Sequence, residues 1–149
     1  SSLSSRAAQP NGQGQQILHA DWKEAVEPGN YFVCNAAWLI DDYSEENGGT
    51  RVIPGSHRCG ESPQDVLADP LADHPDQVIF TGRAGSVIVF NSHLWHGGRT
   101  NHSNGLRRGV LSYFVRRGAP YIQNDHKELL SEETKVRLST EALTLSAAL

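Results

Sequence analysis

The chain is predicted to be mainly β, a sandwich or barrel with one short helix at its carboxy end, on three observations. Short apolar runs rich in Val, Ile, Tyr and Phe recur from residue 16 to 118. Clusters of Gly, Pro, Asn and Asp separate them, and helix-like spacing is confined to the tail.

The elements follow in order. Residues 1–15 (SSLSSRAAQPNGQGQ) are Ser, Gln and Gly with almost nothing apolar to bury, so they are expected to be disordered or linker-like. Strands are predicted at 16–19, 31–40, 50–53, 77–80, 86–90 and 109–116. Turns are predicted at EENGG (45–49), at Pro54-Gly55-Ser56, at Gly82 with Gly85, and at Gly97-Gly98. The stretch 65–76 (DVLADPLADHPD) carries prolines and acidic residues that disfavour a strand; a surface loop or a single helical turn is expected. A helix from about 131 to 143 has Ser131 as its N-cap. At 149 residues, one domain over 16–149 is expected. From the absence of methionine and the polar start, it is expected to be the carboxy-terminal portion of a longer protein, its amino-terminal part missing.

A formal net charge of −4 gives no global attraction to nucleic acid or to an anionic membrane surface, although Arg107-Arg108 and Arg116-Arg117 are locally basic. No apolar run approaches spanning length, and the start lacks the apolar core of a signal peptide. Cys34 and Cys59 form no CxxC pair and read as free thiols, which fits a reducing, cytoplasmic setting.

The candidate chemistry lies in a split set of metal ligands. On a strand, positions i and i+2 share a face, so His19 and Asp21 in ILHADW present an imidazole and a carboxylate together while Ala20 turns away. A third ligand, His96, completes a two-histidine, one-carboxylate face that leaves adjacent coordination positions open, the arrangement of non-haem ferrous oxygenases. A lone H-x-D is weak evidence, because a histidine in a β-protein is more often structural. His93 competes with His96 as half of an HxxH pair, but i and i+3 diverge on a strand. His102, His74 and His126 lie in polar surroundings and are expected to be solvated, and His57 in PGSHR is expected to be structural or to support a ligand from behind. An arginine at the start of the last strand suits a carboxylate, which its planar fork binds through two parallel hydrogen bonds. Arg107 and Arg108 both qualify on the residues alone.

Taken together, LHADW, then NAAWLIDDYSEENGGTRVIPGSHR, then the run containing His96, Gly98, Asn101, Ser103 and Arg107 resemble the phytanoyl-CoA dioxygenase family of iron(II)- and 2-oxoglutarate-dependent oxygenases, over about residues 16–120. The resemblance implies a double-stranded β-helix (jelly-roll, cupin-like) core. It implies iron(II) on His19, Asp21 and His96, and Arg107 on the distal carboxylate of 2-oxoglutarate, chosen over Arg108 by its spacing from His96. Trp38 and Ser103 are implied as further co-substrate contacts, and ascorbate as an accessory reductant. Gly98 stands where some members carry a serine that contacts the co-substrate. The implied reaction consumes O2, hydroxylates an unactivated C–H bond of a small organic substrate, and releases succinate and CO2. Asp21 favours hydroxylation over halogenation, since related halogenases lack the carboxylate. Two alternatives stand beside this reading: a non-catalytic β-barrel binding module, and a cupin-like metalloenzyme that does not use 2-oxoglutarate.

Overall fold

Two antiparallel sheets face each other in the computed structural model, which describes residues 2–22, 24–120 and 130–145. The strands are β1 (Ser2–Ala8), β2 (Val33–Leu39), β3 (Thr50–Val52), β4 (Val78–Ile79), β5 (Val87–Asn91), β6 (His96–Gly98) and β7 (Arg107–Val115). The larger sheet runs β1-β7-β2-β5 and the smaller β4-β3-β6. This is the jelly-roll arrangement the resemblance implies.

Register fixes what each face of the larger sheet presents. Ser2, Tyr113, Asn35 and Phe90 are direct cross-strand neighbours; so are Ser4, Leu111, Ala37 and Ile88. Arg6 opposes Gly109, and Ala8 opposes Arg107. These positions share the inner face, because side chains alternate along every strand. Leu3, Ser112, Ala36 and Val89 form an outer row, as do Val110, Trp38 and Val87.

The amino end departs from expectation. Residues 2–8 are a strand paired along its whole length with β7. The pairing uses main-chain groups, which every residue supplies, so a polar sequence can join a sheet edge without a hydrophobic pattern to announce it. Residues 16–19 form no regular strand either. His19 and His96 exchange both backbone hydrogen bonds at 2.9 Å, whereas the next bond runs from Gln16 N to Gly98 O, also 2.9 Å, which leaves one extra residue on the 16–19 side. This is a bulge, and the Leu18 N–H leaves the ladder for Pro70 O. Gly97-Gly98, expected as a turn, lies within β6.

Between the sheets sit small apolar clusters. Leu18, Ile53 and Trp95 pack together behind the bulge, Trp22, Val33 and Tyr113 at one end, and Ala37, Leu39 and Tyr43 at the other. Each large side chain so buried contributes roughly 1.5–3 kcal/mol. The Pro54-Gly55-Ser56 turn serves the first cluster, since the Ser56 hydroxyl donates to Ile53 O and accepts from Trp95 N.

Arg51 is fully buried and clasps the 65–76 stretch to the bulge. Its guanidinium donates to the carbonyls of Ala72, Gln16, Pro70 and Leu71 at 2.7–3.2 Å. That stretch begins in a short helical turn, α1 (Pro63–Val66), and continues as loop. The tail helix is split into α2 (Glu132–Arg137) and α3 (Thr140–Leu145): Ser131 caps the first as expected, and the Ser139 hydroxyl accepts from Ala142 N at the start of the second. No described helix is long and apolar enough to cross a membrane.

Candidate metal centre

The His19/His96 cross-strand pair places two imidazoles side by side on the inner face, with ring centroids 4.5 Å apart. Each ring is locked by its own strand. His19 Nδ1 bonds Ile17 O at 2.9 Å and His96 Nδ1 bonds Leu94 O at 2.8 Å, so both present Nε2 to the space between them. A carbonyl partner makes Nδ1 a donor and turns Nε2 toward Asp21, so that Nε2 is the nitrogen a metal would take.

Asp21 completes the set from two residues beyond His19. Its Oδ1 lies 3.6 Å from His19 Nε2 and its Oδ2 3.4 Å from His96 Nε2; one ligand atom from each residue falls within 4.8 Å of the others. Its backbone is pinned by Asp21 N to Ser92 O at 2.8 Å and by the Tyr113 hydroxyl donating to Asp21 O at 3.1 Å. Burial, and then the neighbouring His96, push the His19 pKa down. Burial also works against the Asp21 charge, but hydrogen bonds and charge from His96, aided by His19 and Asn35, outweigh it and hold the carboxyl below its ordinary value. An unprotonated imidazole beside an ionised carboxylate is the state a divalent cation needs. Two Nε2 atoms and a carboxylate converging from three sides, with Nδ1 engaged elsewhere, fit iron(II).

A cavity of about 300 Å³ opens beside these three candidate ligands. Asn35, Ala37, Phe90, Leu111 and Tyr113 of the larger sheet wall it, and Ser2, Ser4 and Arg6 of β1 form its rim. The Phe90 ring meets His96 edge-on at 5.1 Å. Gln16 and Thr50 also border it, and sequence reasoning singled out neither them nor Asn35 and Tyr113. Polar residues in strands of mixed burial carry no signal of the face they occupy.

The competing histidines lie elsewhere. His93 Nε2 accepts from Phe32 N at 3.0 Å, and the ring packs among Trp22, Tyr31 and Phe32. Its pKa is lowered by burial and then by His57, as befits a buried neutral imidazole. His57 borders a narrow cleft with Ala20 and His93. His74 Nδ1 accepts from Asp76 N in a surface turn, and His102 is exposed. His126 lies outside the described residues.

Of the implied co-substrate residues, Arg107 is on the inner face, 6% exposed, with its guanidinium 4.1 Å from the Tyr43 ring centroid. Its Nε is buried without a hydrogen-bond partner among the described residues, and no described carboxylate lies within salt-bridge distance. It is not one of the residues bordering the cavity. Arg108 points outward and pairs through both Nε and Nη2 with Asp41. That bidentate contact raises the Arg108 pKa and lowers that of Asp41 to about 2.

The two other implied co-substrate residues also lie away from the cavity. Trp38 occupies the outer face, 46% exposed, with its indole N–H on Ser112 Oγ at 2.9 Å; it is one residue out of phase with Ala37, which does border the cavity. Ser103 does not reach the cavity either. Its hydroxyl donates to Asn101 Oδ1 and Gly105 O, while fully buried Asn101 donates to Ala8 O and Gly105 O. Together they knot the loop before Arg107 to the end of β1.

Gly97 permits the bulge to approach β6, because a Cβ there would stand 2.8 Å from Ile17 O and 3.2 Å from Gln16 O. Gly97→Ala is expected to cost about 1–3 kcal/mol and to weaken Ni(II) binding by pushing His19 from His96, as thermal melts and calorimetric titration would register. An alanine variant with wild-type melting and affinity would show that the bulge has room to spare.

An inward-facing cluster of two histidines and one carboxylate inside a jelly roll defines a candidate metal-binding scaffold. The family model of phytanoyl-CoA dioxygenase (PhyH) matches residues 3–109, and the chain belongs to that family. Dioxygenase trt7 of Aspergillus terreus is 31% identical over 138 residues, covering 86% of this chain and 45% of trt7. Dioxygenase FrzG of Cladobotryum sp is 32% identical over 122 residues, covering 74% and 36%. The chain thus spans less than half the length of these relatives. Among solved structures, EctD from S. alaskensis in its apoform superposes with a TM-score of 0.54 at 28% identity, covering 74% of this chain and 41% of that one.

Proposed function

We propose that this chain carries the iron(II) and 2-oxoglutarate site of a dioxygenase that hydroxylates an unactivated C–H bond of a small organic substrate, with O2 consumed and succinate and CO2 released. The observation that carries the reading is the convergence of His19 Nε2, His96 Nε2 and an Asp21 oxygen on one point beside a cavity. The dioxygenase names of trt7 and FrzG support it.

Iron(II) and 2-oxoglutarate, when bound, would supply the electrons that activate O2, the oxidant, a task protein side chains do not perform. The chain's own residues do the rest. His19, Asp21 and His96 hold the metal on one side and leave the cavity side open. Arg107 holds the distal carboxylate of 2-oxoglutarate; its stack on Tyr43 occupies the guanidinium face and leaves the in-plane N–H groups free to donate. Ala37, Phe90 and Leu111 give the cavity apolar walls that limit water at the metal and seat the substrate's hydrocarbon part.

The test is succinate formation from 2-oxoglutarate under air with iron(II) and ascorbate. Wild-type protein is expected to form succinate, and Asp21→Ala to lose nearly all of it. Equal turnover by the two would remove Asp21 from the ligand set and the reading with it.

A further inference from the structure

Asn35 is the one polar residue on the inner face of β2, where Val33, Ala37 and Leu39 are its companions. It is 4% exposed, and its amide is only half used. Nδ2 donates to Asp21 Oδ2, while Oδ1 is buried without a partner among the described residues. The amide cannot turn over, because that would set a carbonyl oxygen against a carboxylate. An apolar residue would suit this position in the core better than a half-satisfied amide does. The polar group is therefore held here for what its N–H does to Asp21.

We infer that Asn35 is a positioning residue for the metal centre, which fixes the rotation of the Asp21 carboxylate so that one oxygen is tied back and the other is left to the metal. The inference rests on the metal-centre reading above. Three contacts define the carboxylate: His19 on Oδ1, and His96 and Asn35 on Oδ2. The two imidazoles would turn their lone pairs to the metal, so Asn35 is the contact that persists as a hydrogen-bond donor once metal binds. Its position is set from both sides, since its strand neighbours Tyr113 and Phe90 belong to the flanking strands of the same sheet. Tyr113 also fixes the Asp21 backbone, so main chain and side chain of this ligand are both oriented from one register row.

The experiment is calorimetric titration of Ni(II), a redox-inert probe, into the full chain as wild type, Asn35→Ala, Asn35→Leu and Asn35→Ser, with melting of each metal-free protein measured in parallel. Asn35→Ala and Asn35→Leu are expected to bind Ni(II) about 10- to 100-fold more weakly, the usual effect of losing a group that orients a ligand. Their metal-free melting temperatures are expected to stay level or, for leucine, to rise. Asn35→Ser, which keeps a donor, should recover part of the affinity. A merely structural asparagine gives the opposite split, with melting lowered and affinity intact, and that result overturns the inference. So does an affinity within twofold of wild type in both the alanine and leucine variants. Wild-type protein that takes up no Ni(II), or an Asp21→Ala variant that binds it normally, overturns the metal centre itself and this role with it; an Asn35 result alone leaves the centre standing.

Discussion

Replacing His96 by alanine is expected to weaken Ni(II) or iron(II) binding by more than about 100-fold, beyond what losing an orienting neighbour costs. His93→Ala should leave that affinity within about threefold. The two histidines are three positions apart and both buried, yet they do different work. His96 turns its Nε2 toward Asp21 and His19, while the His93 Nε2 is already occupied by the Phe32 N–H. Loss of the His93 ring leaves that part-buried N–H without its acceptor, at a cost of about 1 kcal/mol, so His93→Ala should lower the melting temperature instead. Titration calorimetry and thermal melts on the two variants separate the effects. Metal binding that survives in His96→Ala and fails in His93→Ala would reverse the assignment.

Arg107→Lys is expected to raise the apparent KM for 2-oxoglutarate at least about 30-fold, whereas Arg108→Lys should change it less than twofold. A lysine keeps the charge but loses the planar fork, and a charge-assisted hydrogen bond forgone in a buried site is worth about 2 kcal/mol. Arg108 has already spent its fork on Asp41 at the surface. Initial rates across a 2-oxoglutarate series check this, and an unchanged KM for Arg107→Lys would take the co-substrate carboxylate elsewhere, with Arg6 on the cavity rim the next cation to replace.

The convergence of His19, Asp21 and His96 was legible because it follows two simple rules. His19 and Asp21 are related by strand parity, and the pairing survives although 16–19 is a bulge, since His19 itself sits in a regular hydrogen-bonded pair. His96 followed from its place in a motif rather than from the residues around it. The choice between Arg107 and Arg108 lay beyond residue patterns, but β7 decides their faces: Arg107 is in phase with Leu111 and Tyr113, and Arg108 with Ser112. Trp38 shows where the face of a side chain is not legible. VCNAAWL has small or apolar residues at both parities, so no alternation tells which way the indole points. The β1 strand was hidden for a different reason. SLSSRAA pairs through its backbone at an edge, a bond pattern that composition does not encode.

The directly opposed His19/His96 pair makes the centre a check on strand alignment. A slip of one residue between the 16–19 segment and β6 would carry one imidazole to the far side of the sheet and separate the ligands by its thickness. Misaligned molecules would then compete for metal no better than an unfolded chain. In a refolding mixture, the stoichiometry of bound Ni(II) should count the correctly zipped molecules, and metal added early should drain the mispaired ones toward the native alignment by mass action.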